Sequence, residues 1–140
     1  MTRAAALSAG LLLTVSSALA GETARSPDAD LAPCPGLCLN ASRFAVTVDW
    51  TNPRNGTNGT GHALPLTGDT GSFWFFDPRN VELNVKVLDG RAVNGHFWVF
   101  YASLSDVEFT ITVTDTETGA VKTFHNPPYT LASRADITAF

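Results

Sequence analysis

Val81-Glu82-Leu83-Asn84-Val85-Lys86-Val87 decides the fold. Apolar side chains occupy the odd positions and polar ones the even positions. Successive side chains of an extended chain point to opposite faces, so this period of two marks a strand with one face buried. The same pattern recurs on either side. Phe44, Val46, Val48 and Trp50 alternate with Ala45, Thr47 and Asp49, and Val107, Phe109, Ile111 and Val113 alternate with Glu108, Thr110, Thr112 and Thr114. Phe73-Trp74-Phe75-Phe76 and Phe97-Trp98-Val99-Phe100-Tyr101 are apolar on both faces. Shorter strands fit His62 to Thr67 and Ala120 to His125. The separators are turn chemistry: Asn55-Gly56, Asn58-Gly59, Asp77-Pro78, Asp89-Gly90, Asn94-Gly95 and Thr118-Gly119. About seven short strands at near-regular spacing predict an all-β, two-sheet antiparallel sandwich, immunoglobulin-like in architecture. A small β-barrel is the alternative, because seven strands do not fix closure. The antibody-type Cys…Trp…Cys brace is missing.

Composition narrows the class. The chain has 140 residues, 44% hydrophobic and 16% charged. That is one domain's length, too apolar for a disordered chain and too weakly charged for a coiled coil. A net charge of −4 supplies no field for nucleic acid, which is therefore not an expected partner.

Residues 1–20 read as an export signal. Arg3 supplies the positive start, Ala4 to Val15 the apolar run, and Ala18-Leu19-Ala20 the small residues a signal peptidase reads. Cleavage after Ala20 predicts a secreted, extracellular mature chain of net charge −5 with no membrane span. Residues 21–42 form a leader carrying Cys34-Pro35-Gly36-Leu37-Cys38, and residues 43–140 form the sandwich domain. In an oxidising compartment a local Cys34–Cys38 disulfide is expected, contributing about 2 kcal/mol in the chain-entropy model. Free thiols or an intermolecular bond are the other options.

A longer string has a likeness. Arg43-Phe44-Ala45-Val46-Thr47-Val48-Asp49-Trp50, then Asp69-Thr70-Gly71-Ser72-Phe73-Trp74-Phe75-Phe76-Asp77-Pro78, Asn80-Val81-Glu82-Leu83, Lys86-Val87-Leu88-Asp89-Gly90, Asn94-Gly95-His96-Phe97-Trp98-Val99 and Val113-Thr114-Asp115-Thr116-Glu117-Thr118-Gly119 run through it. Together they resemble an uncharacterised β-rich domain of bacterial secreted proteins. The resemblance implies export and a β-rich module, and no mechanism.

Short motifs invite chemical readings. Asp69-Thr70-Gly71-Ser72 spells the loop of an aspartic protease, which needs two carboxylates sharing a proton and hence a dimer of this chain. Thr67-Gly68 precedes it where those enzymes have an apolar strand, so a polar turn is the better reading. Leu64-Pro65-Leu66-Thr67-Gly68 matches a sortase signal but sits mid-chain, ahead of a strand. His62, His96 and His125 show no metal-ligand spacing, and HExxH, GxSxG and P-loop patterns are missing from the sequence. Asp106, Asp115 and Glu117 offer oxygens to Ca²⁺, although a hairpin over Thr114 to Gly119 explains the latter two. Asn40, Asn55 and Asn58 head glycosylation sequons, and Asn52 to Gly61 reads as an exposed loop.

The expectation is a secreted, non-enzymatic binding module for an extracellular protein or glycan, without cofactor, metal or catalytic set. The candidate contact residues are Trp74, Trp98, Trp50, Asn55 and Asn58. If Phe73 and Phe75 face inward, Trp74 faces out, and the same parity turns Trp98 outward. An exposed aromatic face would mark an interaction site. The alternatives are a glycan-binding module, a secreted hydrolase inhibitor inserting the Cys34–Cys38 loop, and, last, an aspartic-protease-like enzyme resting on Asp69.

Overall fold

The computed structural model describes residues 34–140. The segment read from sequence as an export signal, and the leader up to residue 33, lie outside the described residues. The strands run β1 (Leu37–Leu39), β2 (Phe44–Thr51), β3 (Asn58–Thr60), β4 (His62–Pro65), β5 (Thr70–Trp74) and β6 (Leu83–Asp89). A single helical turn, α1 (Arg91–Asn94), leads to β7 (Phe97–Ser103), β8 (Glu108–Asp115), β9 (Val121–Asn126) and β10 (Ser133–Asp136). Every pairing is antiparallel. One sheet, here sheet A, has the order β1-β2-β8-β9, with β3 on the free stretch of β2 beyond β1. The other, sheet B, has the order β10-β7-β6-β5-β4. The two face each other as a β-sandwich and are not closed into a barrel.

Alternation supplies the core. Phe44, Val46, Val48, Phe109, Ile111 and Val113 of sheet A meet Phe73, Leu83, Val85, Val87, Phe97 and Val99 of sheet B, all buried. Each such side chain contributes about 1.5–3 kcal/mol by leaving water. Aromatic contacts cross between the sheets: Phe44 meets Phe97 with centroids 4.8 Å apart, and Tyr101 meets Phe109 at 6.2 Å and Phe124 at 5.7 Å.

Three strands are additional to those the alternation gave. β1, β3 and β10 are three or four residues long, too short for a period to be read. The domain boundary drawn at Arg43 therefore moves back. Leu37 and Leu39 are fully buried, and β1 pairs with the start of β2 inside the segment assigned to the leader. Cys34 and Cys38 form the expected local disulfide, with Cα atoms 6.1 Å apart, directly before and within β1. Gly71 lies where a Cβ would strike the Leu37 side chain, so a glycine lets β1 close against sheet B.

The link from β1 to β2 is tight. Asn40, Ala41 and Ser42 all take left-handed backbone angles, which cost L residues about 1–2 kcal/mol each. Asn40 is held in place by sheet B: its N–H donates to the Gly68 carbonyl (2.6 Å) and its Nδ2 to the Val87 carbonyl (2.8 Å).

One face assignment reverses. Glu82 alternates as a solvent-facing residue, yet it precedes β6 and is buried. Its N–H donates to the Phe73 carbonyl, and its carboxylate accepts from Asn80 Nδ2. Burial pushes its pKa up, while the hydroxyl of Ser105 and the amide of Asn80 act in the opposite direction.

Candidate binding surface

The five candidate residues do not gather at one site: Trp50 and Asn58 both line a depression on sheet A, whereas Trp74 and Trp98 belong to sheet B. Trp50 ends the inward row of β2, stacks on Phe75 (5.8 Å, 15°) and meets Phe76 edge-on at 4.8 Å. Trp74 is on the outer face of sheet B, stacked on His62 across β4 and β5 at 3.8 Å and 13°. Trp98 shares that face and covers Gly90, where a Cβ would run into the indole, and its Nε1 donates to Asn94 Oδ1 (2.8 Å). Parity thus places both rings as expected, but register parts them. Trp98 lies opposite Leu88, whereas Trp74 follows Phe73, the partner of Leu83. The two indoles stand at opposite ends of the sheet, about 20 Å apart along the strands. Asn55 lies in the β2–β3 connection and Asn58 opens β3 opposite Thr51 on sheet A; Asn55 Oδ1 accepts from the Thr57 N–H and hydroxyl.

The motif residues also disperse. Asp69 caps the turn into β5, accepting from the hydroxyls of Thr67 and Thr70 (both 2.7 Å). Those hydrogen bonds, Thr70's first, lower its pKa, the opposite of what a proton-sharing carboxylate needs. Asp106 precedes β8 and pairs with Arg54; Asp115 ends β8 and pairs with Arg43. A strand's length therefore separates Asp106 from Asp115 and Glu117, and the latter two are both occupied by Arg43. The Thr114 to Gly119 segment is the hairpin, closed by Gly119 N–H donating to the Asp115 carbonyl. His96 Nδ1 lies 3.2 Å from the Phe140 carbonyl, and His125 Nδ1 lies 3.3 Å from Thr110 Oγ1. Among the described residues no three His, Cys, Asp or Glu side chains come together as a metal group.

Two concave places are set aside by their chemistry. A cleft of about 600 Å³ near Asn40 collects Arg43, Asp69, Asp89, Arg91, Phe97 and Glu117. Its cations are already answered: Arg43 binds Asp115 (2.9 Å) and Glu117 (2.8 Å), and Arg91 binds Asp89 (2.7 Å). Both guanidiniums sit over the Phe97 ring at 4.5 Å. Asp89 is drawn down to about 2 by Arg91, which removes it as a proton carrier near neutrality. On sheet A, a depression of about 410 Å³ is floored by β2, β3 and β8 and lined by Asp49, Trp50, Asn58, Thr60, Glu108 and Thr110. It belongs to an outer face of threonines and charges.

The outer face of sheet B is different. Its rows follow from the register. Thr70, Lys86, Phe100 and Ala135 stand side by side across four strands, and Ser72, Asn84, Ala102 and Ser133 form the next row. Small side chains in the second row leave a trough of about 740 Å³ beside Phe100, extended by Leu66 and bordered by Arg134. Leu88 and Trp98 continue the half-exposed apolar surface beyond Lys86 and Phe100. Asn84 Oδ1 accepts from Ser72 Oγ (2.6 Å), leaving its amide N–H groups without a partner among the described residues. Phe100, Asn84, Lys86 and Ala135 were not singled out by sequence. The parity that turns Trp98 outward also turns Phe100 outward, so that signal was present; the row of small residues arises only from pairing. No family model, no curated protein and no solved structure matches the chain.

Proposed function

We propose that the protein is an exported, non-enzymatic binding module that holds an extracellular partner on the outer face of sheet B. One observation carries this reading. The two outer faces of the sandwich differ in kind. Sheet A presents Thr47, Thr110, Thr112 and Thr123 with Asp49 and Glu108, a mainly polar face on which Val121 at the start of β9 is an exposed apolar side chain. Sheet B presents Leu88, Trp98, Phe100, Ala102 and Ala135 around a trough. Apolar surface left in water on one face of a small domain marks an interaction site. The signal-like residues 1–20 and the Cys34–Cys38 disulfide support an extracellular setting. The inhibitor alternative gains less support, because Gly36 of the disulfide loop lies hard against the Val46 carbonyl of β2, folded onto the sheet.

Phe100→Glu tests the proposal. Phe100 is half-exposed, so the variant should melt within about 1 kcal/mol of the parent while losing retention on washed extracellular polysaccharide and protein fractions. Equal retention of variant and parent would overturn it.

A further inference from the structure

β9 is the longest strand at a sheet margin, and it carries no proline. The others there, β1, β3, β4 and β10, have three or four residues, and β4 holds Pro65. Register fixes which groups β9 turns outward. The Asp115 N–H donates to the Ala120 carbonyl (2.9 Å), so bonded pairs recur at every second position: Val113 with Lys122, Ile111 with Phe124 and Phe109 with Asn126. The N–H and C=O groups of Val121, Thr123 and His125 therefore point away from β8, and among the described residues no strand lies beside them. Such a row is a template for one more strand. Parity fixes what that strand would meet. Lys122 lies opposite Val113, Arg134 opposite Tyr101 and Asp136 opposite Val99; these partners are buried, so the charged side chains turn toward the space between the sheets. All three line a cleft of about 470 Å³ along the margin shared by β9 and β10, with Phe124 and Ile137. Asp136 is engaged by the N–H (3.0 Å) and hydroxyl (3.3 Å) of Thr138. Lys122 and Arg134 have no ion-pair partner among the described residues.

We propose that β9 accepts an extended peptide whose alternate side chains are carboxylates, bound as an added strand of sheet A. This site is distinct from the outer face of sheet B and stands on separate observations. In an added strand every second side chain turns the same way as Lys122 and Phe124, over the cleft. Carboxylates at those positions answer Lys122 and Arg134, while the peptide backbone answers Val121, Thr123 and His125. The charges also exclude other occupants. An apolar strand would cover Lys122 and Arg134 without pairing them. A second copy of β9, paired about Thr123, would set the two Lys122 side chains on diagonal positions about 7–8 Å apart. It would also bring a second Arg134 to the same seam. Inward charges on an edge strand bar indiscriminate pairing, and here they leave an acidic partner admissible.

The test uses the purified protein and two short peptides, one alternating glutamate with threonine and the other lysine with threonine. Amide hydrogen exchange at Val121, Thr123 and His125 reports the added strand, because these N–H groups face solvent until a strand pairs with them. The glutamate peptide should slow all three by about tenfold or more at saturation, bind more weakly as salt is added, and outbind the lysine peptide. Lys122→Glu with Arg134→Glu should reverse the preference, weakening the glutamate peptide about tenfold and admitting the lysine one. Should that variant fail to fold, the parent's choice between the peptides still reads the charge contact. Equal protection by both peptides would overturn the ligand class. Exchange unmoved by either peptide would overturn the site and leave the inward charges as an edge guard only. Protection that rises with protein concentration alone would overturn the peptide in favour of a second copy. None of these outcomes touches the Phe100→Glu retention experiment, which decides the sheet B reading separately.

Discussion

Glu82 shows how a single residue departs from its pattern. Its place in the Val81 to Val87 alternation assigns it to solvent, but the chain turns into β6 only at Leu83, and the carboxyl is enclosed by Asn80 and Ser105. A carboxyl whose native pKa is raised binds more protons folded than unfolded between the two values. Its contribution to stability is therefore full below the unfolded pKa and lost as pH rises through the native one. Glu82→Gln keeps an acceptor for Asn80 and removes the charge. We expect this variant to melt at or above the parent temperature at pH 7, with the difference shrinking toward pH 4. Thermal melts at both values check this, and a variant less stable at pH 7 than at pH 4 relative to the parent contradicts it. Gly71 and Gly90 carry the opposite lesson. Their identities are plain in the sequence, but their reason, the Leu37 side chain and the Trp98 indole over them, belongs to partners distant along the chain.

At the scale of elements, β1 is the informative strand. It pairs through Leu37, Cys38 and Leu39 alone and is held by two different means, a disulfide and two fully buried leucines. Burial should dominate. Leu39→Ala removes a side chain enclosed on all sides and should cost about 2–5 kcal/mol. Replacing both cysteines by alanine opens only a five-residue ring and should cost about 2 kcal/mol. Urea unfolding of the two variants gives the order, and a larger loss from the cysteine pair would show that the covalent tie, not packing, seats β1. The long strands β2, β6, β7 and β8 were legible because several alternations overdetermine a face. β1, β3 and β10 were not, because three or four residues become strands only when a longer neighbour supplies the hydrogen bonds.

The described residues form a sandwich with two unlike outer surfaces and a charged end. Asp115 closes that end. Burial works to raise its pKa, but the hydrogen bond from Arg43 and the backbone N–H of Glu117 outweigh it, and the net direction is downward. Asp69, Asp77, Asp89 and Asp106 are lowered as well, in more exposed settings. Groups with depressed native pKa stabilise above the unfolded value and lose that contribution as pH falls through the native one. The urea midpoint should therefore hold from pH 7 to about 5 and fall between pH 4 and 2. Asp115→Asn should lower stability by about 2 kcal/mol at pH 7 and flatten that fall. An unchanged acid profile in Asp115→Asn would assign the fall to other groups.

The sequence alone determined that the chain is antiparallel β, which side chains of each long strand face inward, and that Cys34 and Cys38 are spaced to pair. These follow from a local rule, the alternation of an extended backbone, that needs no knowledge of neighbours. Only the tertiary structure decided that Trp74 and Trp98 stand far apart and that Phe100 borders a trough of small side chains. Such placements depend on strand order and register. Both are set by how two sheets bury their faces together, a property of pairs of strands that no single stretch of chain contains.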